Sequence, residues 1–457
     1  MVQRILLVKP EVQFPVKKQH YAGDVGLPTG LLYLAAHTRQ NTDAEIEVKD
    51  YRFEAAIGKP RNLANDLTRA DIVGVSACTA ESPDAFEILR EAKELGKTTV
   101  MGGIYPTFNV NDTLATGYVD YIVRGEGELS FTQLVKALNG KGDLRDVKGI
   151  SFRVGETVFN TPKQDLITDL DSLPLPAYDL LPTSKYAELS PAPIYAARGC
   201  PMSCKFCTLN EMWDFRYRRR SFDNISEEIE KLLGMGFNRV HFKDETMTLN
   251  KKWASGLFQT LREANFGVRY KVKSRVDGVD EAILEQMGSA GVDTIHSGIE
   301  SIAEETLGKM NKGIRREQIE KYLGLMKEHG MIINPVYMLG YPGETRDQLR
   351  ENVEFIKWVG SGSNVITYVS FITPHPGSSF ERESQGLEVL TYDFARYTHK
   401  QPVAVPHSLG RGGLDLMVKA YHEIADATRT QKVNPSVNSV YIQSLKRGKL
   451  AERRLVV

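Results

Sequence analysis

The chain has 457 residues, 41% of them hydrophobic, and its 58 Lys and Arg are balanced by 58 Asp and Glu. That balance excludes a global field drawing nucleic acid or an acidic membrane, and no apolar run reaches the roughly 18 residues of a membrane helix. Only four cysteines occur, three of them close together, which excludes a disulfide framework and fits a reducing cytoplasm.

In chain order, MVQRILLVKP carries an apolar run closed by Lys9 and Pro10; it lacks the pattern of a signal peptide and reads as a strand over 4–10. GLLYLAAHTRQ (30–40) has helical apolar spacing. EIEVKDY (45–51), DIVGVSAC (71–78), TTVMGG (98–103) and VDYIVRGEGE (119–128) read as strands, with helices over 81–95 and 129–139. This βαβ alternation predicts an α/β domain with a doubly wound, Rossmann-like parallel sheet over 1–140.

Residues 141–190 hold Pro162, Pro174, Pro176 and Pro182 and read as an irregular connector. The alternation then resumes. Strands at PAPIYAA (191–197), RVHFKDE (239–245), RYKVKSRV (269–276), TIHSGIE (294–300), INPVYMLGYPG (333–343) and NVITYVSFITP (364–374) are separated by helices over 223–235, 251–264, 280–289, 315–329 and 345–357. A second α/β domain is predicted over 191–380. Beyond it, 381–457 reads as a short, mainly helical region with an amphipathic helix over 413–431 and a basic end, SLKRGKLAERRLVV. His399, His407 and His422 in this region read as structural or exposed.

The chemistry is concentrated in RGCPMSCKFC (198–207), where Cys200, Cys204 and Cys207 form a C-x3-C-x2-C cluster at the end of a predicted strand. Three thiolates can hold three irons of a 4Fe-4S cluster and leave the fourth open to a chelating molecule. A structural zinc site would need a fourth ligand close by, and the first histidine downstream is His241. Gly199 and Pro201 turn the chain at the C-terminal end of the strand, the functional face of parallel α/β sheets.

This motif resembles that of the radical S-adenosylmethionine (SAM) superfamily. The resemblance implies a partial (β/α)6 barrel, SAM chelating the open iron, and a reductive cleavage that releases a 5'-deoxyadenosyl radical. It further implies SAM contacts at successive strand ends: Phe206 beside the adenine, Asp244 and Glu245 toward the ammonium, Ser274 and Arg275 toward the carboxylate. Glu300 would meet the ribose or amino group, and Gly340 would let backbone approach the adenine. The KDET segment (243–246) departs from the family pattern in lacking glycines.

Residues 1–140 resemble the cobalamin-binding domain of one branch of that superfamily, through GLPTGLLYLAA, IVGVSACTA, GGIYPTF and VRGEGELSF. The implied contacts are Ser76, Cys78, Thr79, Gly102, Gly103, Tyr105, Gly125 and Glu126. A D-x-H-x-x-G motif is absent, so no histidine is placed to replace the lower ligand of cobalamin. WDFRYRRRS (213–221) reads as an anion- or nucleic-acid-binding patch or as packing through arginine stacking, the latter preferred.

The expected function is a cobalamin-dependent radical SAM methyltransferase acting on a small molecule, with flavodoxin or ferredoxin as electron donor and no nucleic-acid partner. The alternatives are a radical cyclase, ring-contracting enzyme or dehydratase without methyl transfer, and a non-catalytic metal-binding module.

Overall fold

The computed structural model describes residues 3–12, 25–378 and 386–428. The described residues divide into two compact units, one of the residues up to Pro193 with Lys231–Phe237, the other of Ile194–Glu230 with the residues from Asn238 to Thr428.

The first unit is built on a seven-stranded sheet: β1 (Arg4–Lys9), β2 (Glu45–Asp50), β3 (Ile72–Ser76), β4 (Thr98–Gly102), β5 (Tyr121–Val123), β6 (Ile150–Val154) and β7 (Thr157–Asn160). The order is β2-β1-β3-β4-β5-β6-β7, with β1 to β5 parallel. Ile5 to Val8 are all buried, as a strand covered on both faces requires. The chain reverses its direction of strand addition between β1 and β3, so their C-terminal ends flank the switch-point crevice of such sheets.

Two expectations change here. The strand expected over 119–128 stops at Val123, and Gly127–Leu138 is already helical. The connector is not irregular throughout: β6 and β7 form an antiparallel hairpin that extends the sheet, turning at Gly155 with φ of 59°. Farther along, Ile167, Leu170 and Leu173 pack against Tyr33, so the proline-containing stretch is part of this unit's core.

The second unit carries a six-stranded sheet: β8 (Ala192–Ile194), then β11 (Arg239–Phe242), β12 (Arg269–Lys273), β13 (Val292–Glu300), β14 (Ile332–Leu339) and β15 (Tyr368–Phe371) in sequential order, parallel from β11 to β15. Between β8 and β11 lie two short strands, β9 (Ala197–Arg198) and β10 (Arg218–Arg219), paired antiparallel. Helices such as Lys251–Ala264 and Arg346–Gly360 alternate with the long strands, the second opened by a Thr345/Gln348 capping box. Sequential parallel strands with intervening helices are the pattern of a partial barrel.

Apart from β13, which is longer, the strands of this sheet are shorter than their hydrophobic segments suggested. Glu300 ends β13 as expected, whereas Asp244, Glu245, Ser274, Arg275 and Gly340 lie in the loops that follow their strands. The C-terminal region also differs from a mainly helical one: the helix Gly413–Ala427 is accompanied by an antiparallel pair, β16 (Leu387–Val389) and β17 (Ala404–Pro406). Residues 429–431 and the basic end at 444–457 lie outside the described residues. Among those described, no helix is long and apolar enough to cross a membrane.

Candidate active site

The cysteine loop follows β9, and acidic side chains from the end of β11 hold its root. Asp244 Oδ1 accepts the backbone N–H groups of Ala196 (2.8 Å) and Ala197 (3.2 Å). Glu245 accepts Gly199 N–H through Oε2 and the Trp213 indole N–H through Oε1, both at 3.1 Å. Gly199 has φ of 95°, and a Cβ there would lie 1.9 Å from the Arg216 carbonyl oxygen. Only glycine fits that turn.

Within the loop, the Cys204 carbonyl accepts Cys207 N–H (3.1 Å) and Asn210 Nδ2 (3.2 Å). Cys204 is buried, while Cys200 and Cys207 are half-buried. Burial raises the thiol pKa of Cys200 and pushes that of Cys207 up to about 11. Such thiols stay protonated until a metal displaces the proton. Among the described residues, no three His, Cys, Asp or Glu side chains close on a single metal ion. Three thiolates on a 4Fe-4S cluster instead each address a different iron.

A second loop, after the helix Glu304–Lys309, fastens the cysteine loop from the side. Lys205 N–H donates to the Met310 carbonyl (3.0 Å), and Asn311 Nδ2 donates to the Ser203 carbonyl (3.1 Å) and hydroxyl (2.7 Å). Next in sequence, Lys312 Nζ bonds Glu300 Oε1 at 2.9 Å and sits 5.6 Å from the centroid of the Phe206 ring. Gly298 leaves the space for this pair, since a Cβ there would come 2.2 Å from Glu300 Oε1 and 2.7 Å from Lys312 Nζ. Glu300 itself has φ of 68°, a strained backbone for a residue with a side chain.

The other expected SAM contacts are distributed unevenly. Arg275 turns its fork onto Asp277 through Nε (2.8 Å) and Nη2 (2.9 Å), and Nη2 also meets the Lys312 carbonyl (2.8 Å). Ser274 is buried, with its hydroxyl shared with Thr248. Both carboxylate oxygens of Glu245 are taken by the cysteine loop. Asp244 keeps Oδ2 buried without a partner, and burial raises its pKa to about 7. At Gly340, with φ of 82°, the close approach is to the protein itself: a Cβ would lie 2.3 Å from Met417 Cε. Glycine is required there by the helix Gly413–Ala427, a packing constraint that the strand-end argument did not foresee.

Sequence reasoning missed Lys312 and Asn311 because neither ends a strand. It missed Glu344 as well. This buried carboxylate accepts Gly340 N–H (2.8 Å) and Asn352 Nδ2 (2.7 Å), while Asn352 Oδ1 accepts Ile302 N–H (2.8 Å). The network ties the ends of β13 and β14 together.

Two arginines of the arginine-rich segment, Arg218 and Arg220, are packed into the structure, while Arg216 and Arg219 are exposed. Arg218 stacks 5.4 Å over Trp213, and Arg220 is buried, bonding the Tyr195 carbonyl, Asn224 and Glu228. Glu228→Ala should therefore destabilise this unit by about 3–5 kcal/mol, because it strands a buried guanidinium. Denaturation midpoints check this, and an Arg220→Met/Glu228→Leu double variant should lose less.

In the first unit, the ends of β3, β4 and β5 bring Ser76, Gly102, Gly103 and Gly125 together. Gly103 has φ of 97°, and a Cβ there would meet the Ala77 carbonyl oxygen at 2.7 Å. Thr107 joins two of these turns, its hydroxyl donating to the Gly103 carbonyl (2.7 Å) and accepting Gly125 N–H (3.1 Å). Cys78 starts a short 3-10 turn; its N–H donates to Glu81 Oε2 (2.8 Å), which also receives Lys9 Nζ (2.5 Å). Burial first, then the Glu81 charge, pushes the Cys78 thiol up to about 11.

Three expected cobalamin contacts are turned inward. Thr79 is buried. Tyr105 is fully buried, edge-on to Phe86 with ring centroids 5.8 Å apart. The buried Glu126 carboxylate receives Ile167 N–H at 2.9 Å. Apolar packing holds Tyr105, and Glu126 clips the connector to the sheet. Of the glycines beside them, Gly125 has space next to it, a Cβ there meeting nothing within 4 Å.

Comparison with known proteins agrees with this division. The radical SAM superfamily profile matches residues 194–356, and that of the B12-binding domain matches residues 20–135. An uncharacterised methyltransferase of Pyrococcus horikoshii is 32% identical over 441 residues, covering 92% of each chain. The chain belongs to the B12-binding branch of the radical SAM superfamily.

It is an enzyme of that family, whose cofactors are a 4Fe-4S cluster, SAM and cobalamin. An anaerobic magnesium-protoporphyrin IX monomethyl ester cyclase of Rubrivivax gelatinosus is 31% identical, covering 76% of this chain and 64% of its own. The radical SAM methyltransferase TsrM of Kitasatospora setae, solved with cobalamin and a 4Fe-4S cluster, shares the fold with a TM-score of 0.73 at 18% identity, covering 95% of this chain and 90% of its own.

The residues present fit these groups. Three thiols share one loop, a buried carboxylate oxygen of Asp244 lacks a donor, and small residues line adjacent strand ends of the other unit.

Proposed function

We propose that this enzyme methylates an unactivated carbon of a small biosynthetic intermediate, working in the cytoplasm with reduced flavodoxin or ferredoxin as electron source. The observation that carries the reading is one chain in which a three-cysteine loop follows β9, beside a sequential sheet whose strands β11 to β15 are parallel, and a B12-binding unit is present. The Pyrococcus relative named a methyltransferase, which matches along nearly the whole chain, supports it.

In this reading Cys200, Cys204 and Cys207 hold three irons. Phe206, Asp244, Ser274, Arg275, Glu300 and the Gly340 turn surround SAM, while Glu245 orients the cysteine loop through Gly199 and Trp213. Ser76, Cys78, Gly102, Gly103 and Gly125 form the surface for cobalamin, backed by Thr79, Tyr105 and Glu126. When bound, the cluster delivers the electron that cleaves SAM, and cobalamin carries the methyl group. The protein's own work is alignment and exclusion of water.

The cyclase relative favours a second reading, radical chemistry on a small molecule without methyl transfer. Product analysis separates the two. Anaerobic turnover by a methyltransferase gives S-adenosylhomocysteine as well as 5'-deoxyadenosine. Formation of 5'-deoxyadenosine alone, with cobalamin bound and substrate consumed, would replace the first reading by the second.

A further inference from the structure

We propose that the substrate of this enzyme carries an anionic group, a carboxylate or a phosphate, and that Lys271 and Lys273 bind it on the face of the second unit's sheet turned away from the helices. This rests on the reading above that the enzyme acts on a small molecule.

The two faces of that sheet differ in chemistry. One is apolar and closed: Val240 and Phe242 of β11, Tyr270 and Val272 of β12 and Ile295 of β13 are at most 1% exposed. On the same face as Ile295, Ser297 bonds Tyr322 of the helix Arg316–Glu328 at 2.8 Å, so the helices lie on this side. Alternation along the strands turns the intervening residues to the other side. There the register sets His241 beside Lys271, and Lys273 beside His296, which in turn pairs with Asn334 of β14. Tyr368 of β15 extends the row, its ring centroid 5.4 Å from that of His296. His241, Lys271, Lys273, His296 and Tyr368 all keep part of their surface accessible. A parallel sheet packed by protein on both faces is apolar on both. A polar, cationic and accessible inner face suits a ligand instead.

The groups on this face select for an anion. Lysines two residues apart on one strand stand about 7 Å apart and, with three rotatable donors each, can converge on one carboxylate or phosphate. The acids at either end of the row have other work: Asp244 Oδ1 holds the root of the cysteine loop, and Asp293 pairs with Arg239 at 3.0 Å. Two polar atoms on the row, His241 Nε2 and Asn334 Oδ1, are buried without a partner. Burial, and then the charges of Lys243, Lys271 and Lys273, hold the His241 imidazole well below its usual pKa. It is therefore neutral and able to complete a ligand's hydrogen bonds, which such buried groups require.

Position separates this site from that of SAM. Lys271 lies three residues before Ser274, about 10 Å deeper along the strand direction than the loop residues placed around SAM. A small molecule held at its anionic end by Lys271 and Lys273 would extend its remainder toward the strand ends.

The test measures binding of glutarate, inorganic phosphate and the neutral glutaramide by isothermal titration. The protein is the anaerobically reconstituted enzyme, saturated with SAM and kept without reductant, so that anion-binding groups of the SAM site are filled. Wild type should bind glutarate or inorganic phosphate saturably and glutaramide far more weakly. Tighter binding of glutarate assigns a carboxylate substrate, and tighter binding of inorganic phosphate a phosphate ester. Lys271→Met/Lys273→Met should lose about tenfold or more of that affinity, as for lost hydrogen bonds between charged groups, while keeping the wild-type iron content and denaturation midpoint. Lys271→Arg/Lys273→Arg should retain most of it because the charge is kept. Lys327→Met, at an exposed position on the helix Arg316–Glu328, should bind as wild type and so accounts for general surface attraction.

Absence of saturable binding of both anions to wild type, equal binding of glutaramide and glutarate, or undiminished binding by the double methionine variant would overturn the proposal. If that variant does not fold, Lys271→Met alone replaces it in the comparison. The measurement involves no turnover, so its failure leaves methyl transfer standing, and loss of the methyl-transfer reading by product analysis leaves the anion site standing.

Discussion

Alanine at Cys200, Cys204 or Cys207 is expected to reduce both cluster iron and the release of 5'-deoxyadenosine from SAM to background. Each thiolate addresses a different iron, so no remaining cysteine can substitute for the lost one. The only other cysteine, Cys78, belongs to the other compact unit. The fold should survive these changes. The Cys204 carbonyl, which receives Cys207 N–H and Asn210 Nδ2, is kept in an alanine variant, and the root of the loop is held by Asp244 and Glu245.

Circular dichroism should match wild type while iron, sulfide and the cluster's visible absorption disappear. Cys78→Ala is the control: its N–H to Glu81 is a backbone bond, so cluster content should stay at the wild-type level. Normal SAM cleavage by the triple alanine variant would end the radical SAM mechanism. Loss of the cluster in Cys78→Ala equal to that in the triad variants would make Cys78 a fourth ligand and remove the open iron.

What could be read in the sequence follows from which signals are local. The cysteine spacing, the buried run Ile5–Val8 and the alternation of strands with amphipathic helices are written in adjacent residues, so both sheets and the cysteine loop could be anticipated. The hairpin of β6 and β7 could have been found as well: Gly155 and Glu156 sit between two short alternating segments, a turn signal overshadowed by the prolines around it.

The contacts of Lys312, Asn311 and Glu344 were hidden because each lies in a loop and acquires its role from partners far away in the chain. Lys312 meets Glu300 across a turn that Gly298 leaves room for. Asn311 reaches Ser203, 108 residues away. The same limit explains Tyr105 and Glu126. A strand-end position shows that a residue is near the functional edge, and only packing decides whether its side chain turns toward a ligand or into the core.

Gly102 and Gly103 illustrate that distinction and give the sharpest test of the cobalamin surface. They are neighbours in sequence with different tolerances. At Gly103 a side chain meets a left-handed backbone and the Ala77 carbonyl, and accommodating it would disturb the bond from Tyr105 N–H to Ala77 O. Gly103→Ala should cost about 1–3 kcal/mol of strain, seen as a lower denaturation midpoint whether or not cobalamin binds. At Gly102 a Cβ finds its nearest neighbour, the Val123 carbonyl oxygen, at 3.6 Å, an ordinary contact.

Gly102→Leu should therefore fold with an undiminished midpoint and place its side chain on the surface proposed for the corrin or its nucleotide tail. The expected result is selective loss: little visible cobalamin absorption after desalting and no S-adenosylhomocysteine beyond background, with cluster iron and uncoupled 5'-deoxyadenosine formation retained because they depend on the other unit. Wild-type retention of cobalamin by Gly102→Leu would remove this surface from the binding site. If wild-type enzyme, reconstituted without oxygen in excess cobalamin, kept none after desalting, methyl transfer would lose its carrier, and radical cyclisation or dehydration would become the activity to test.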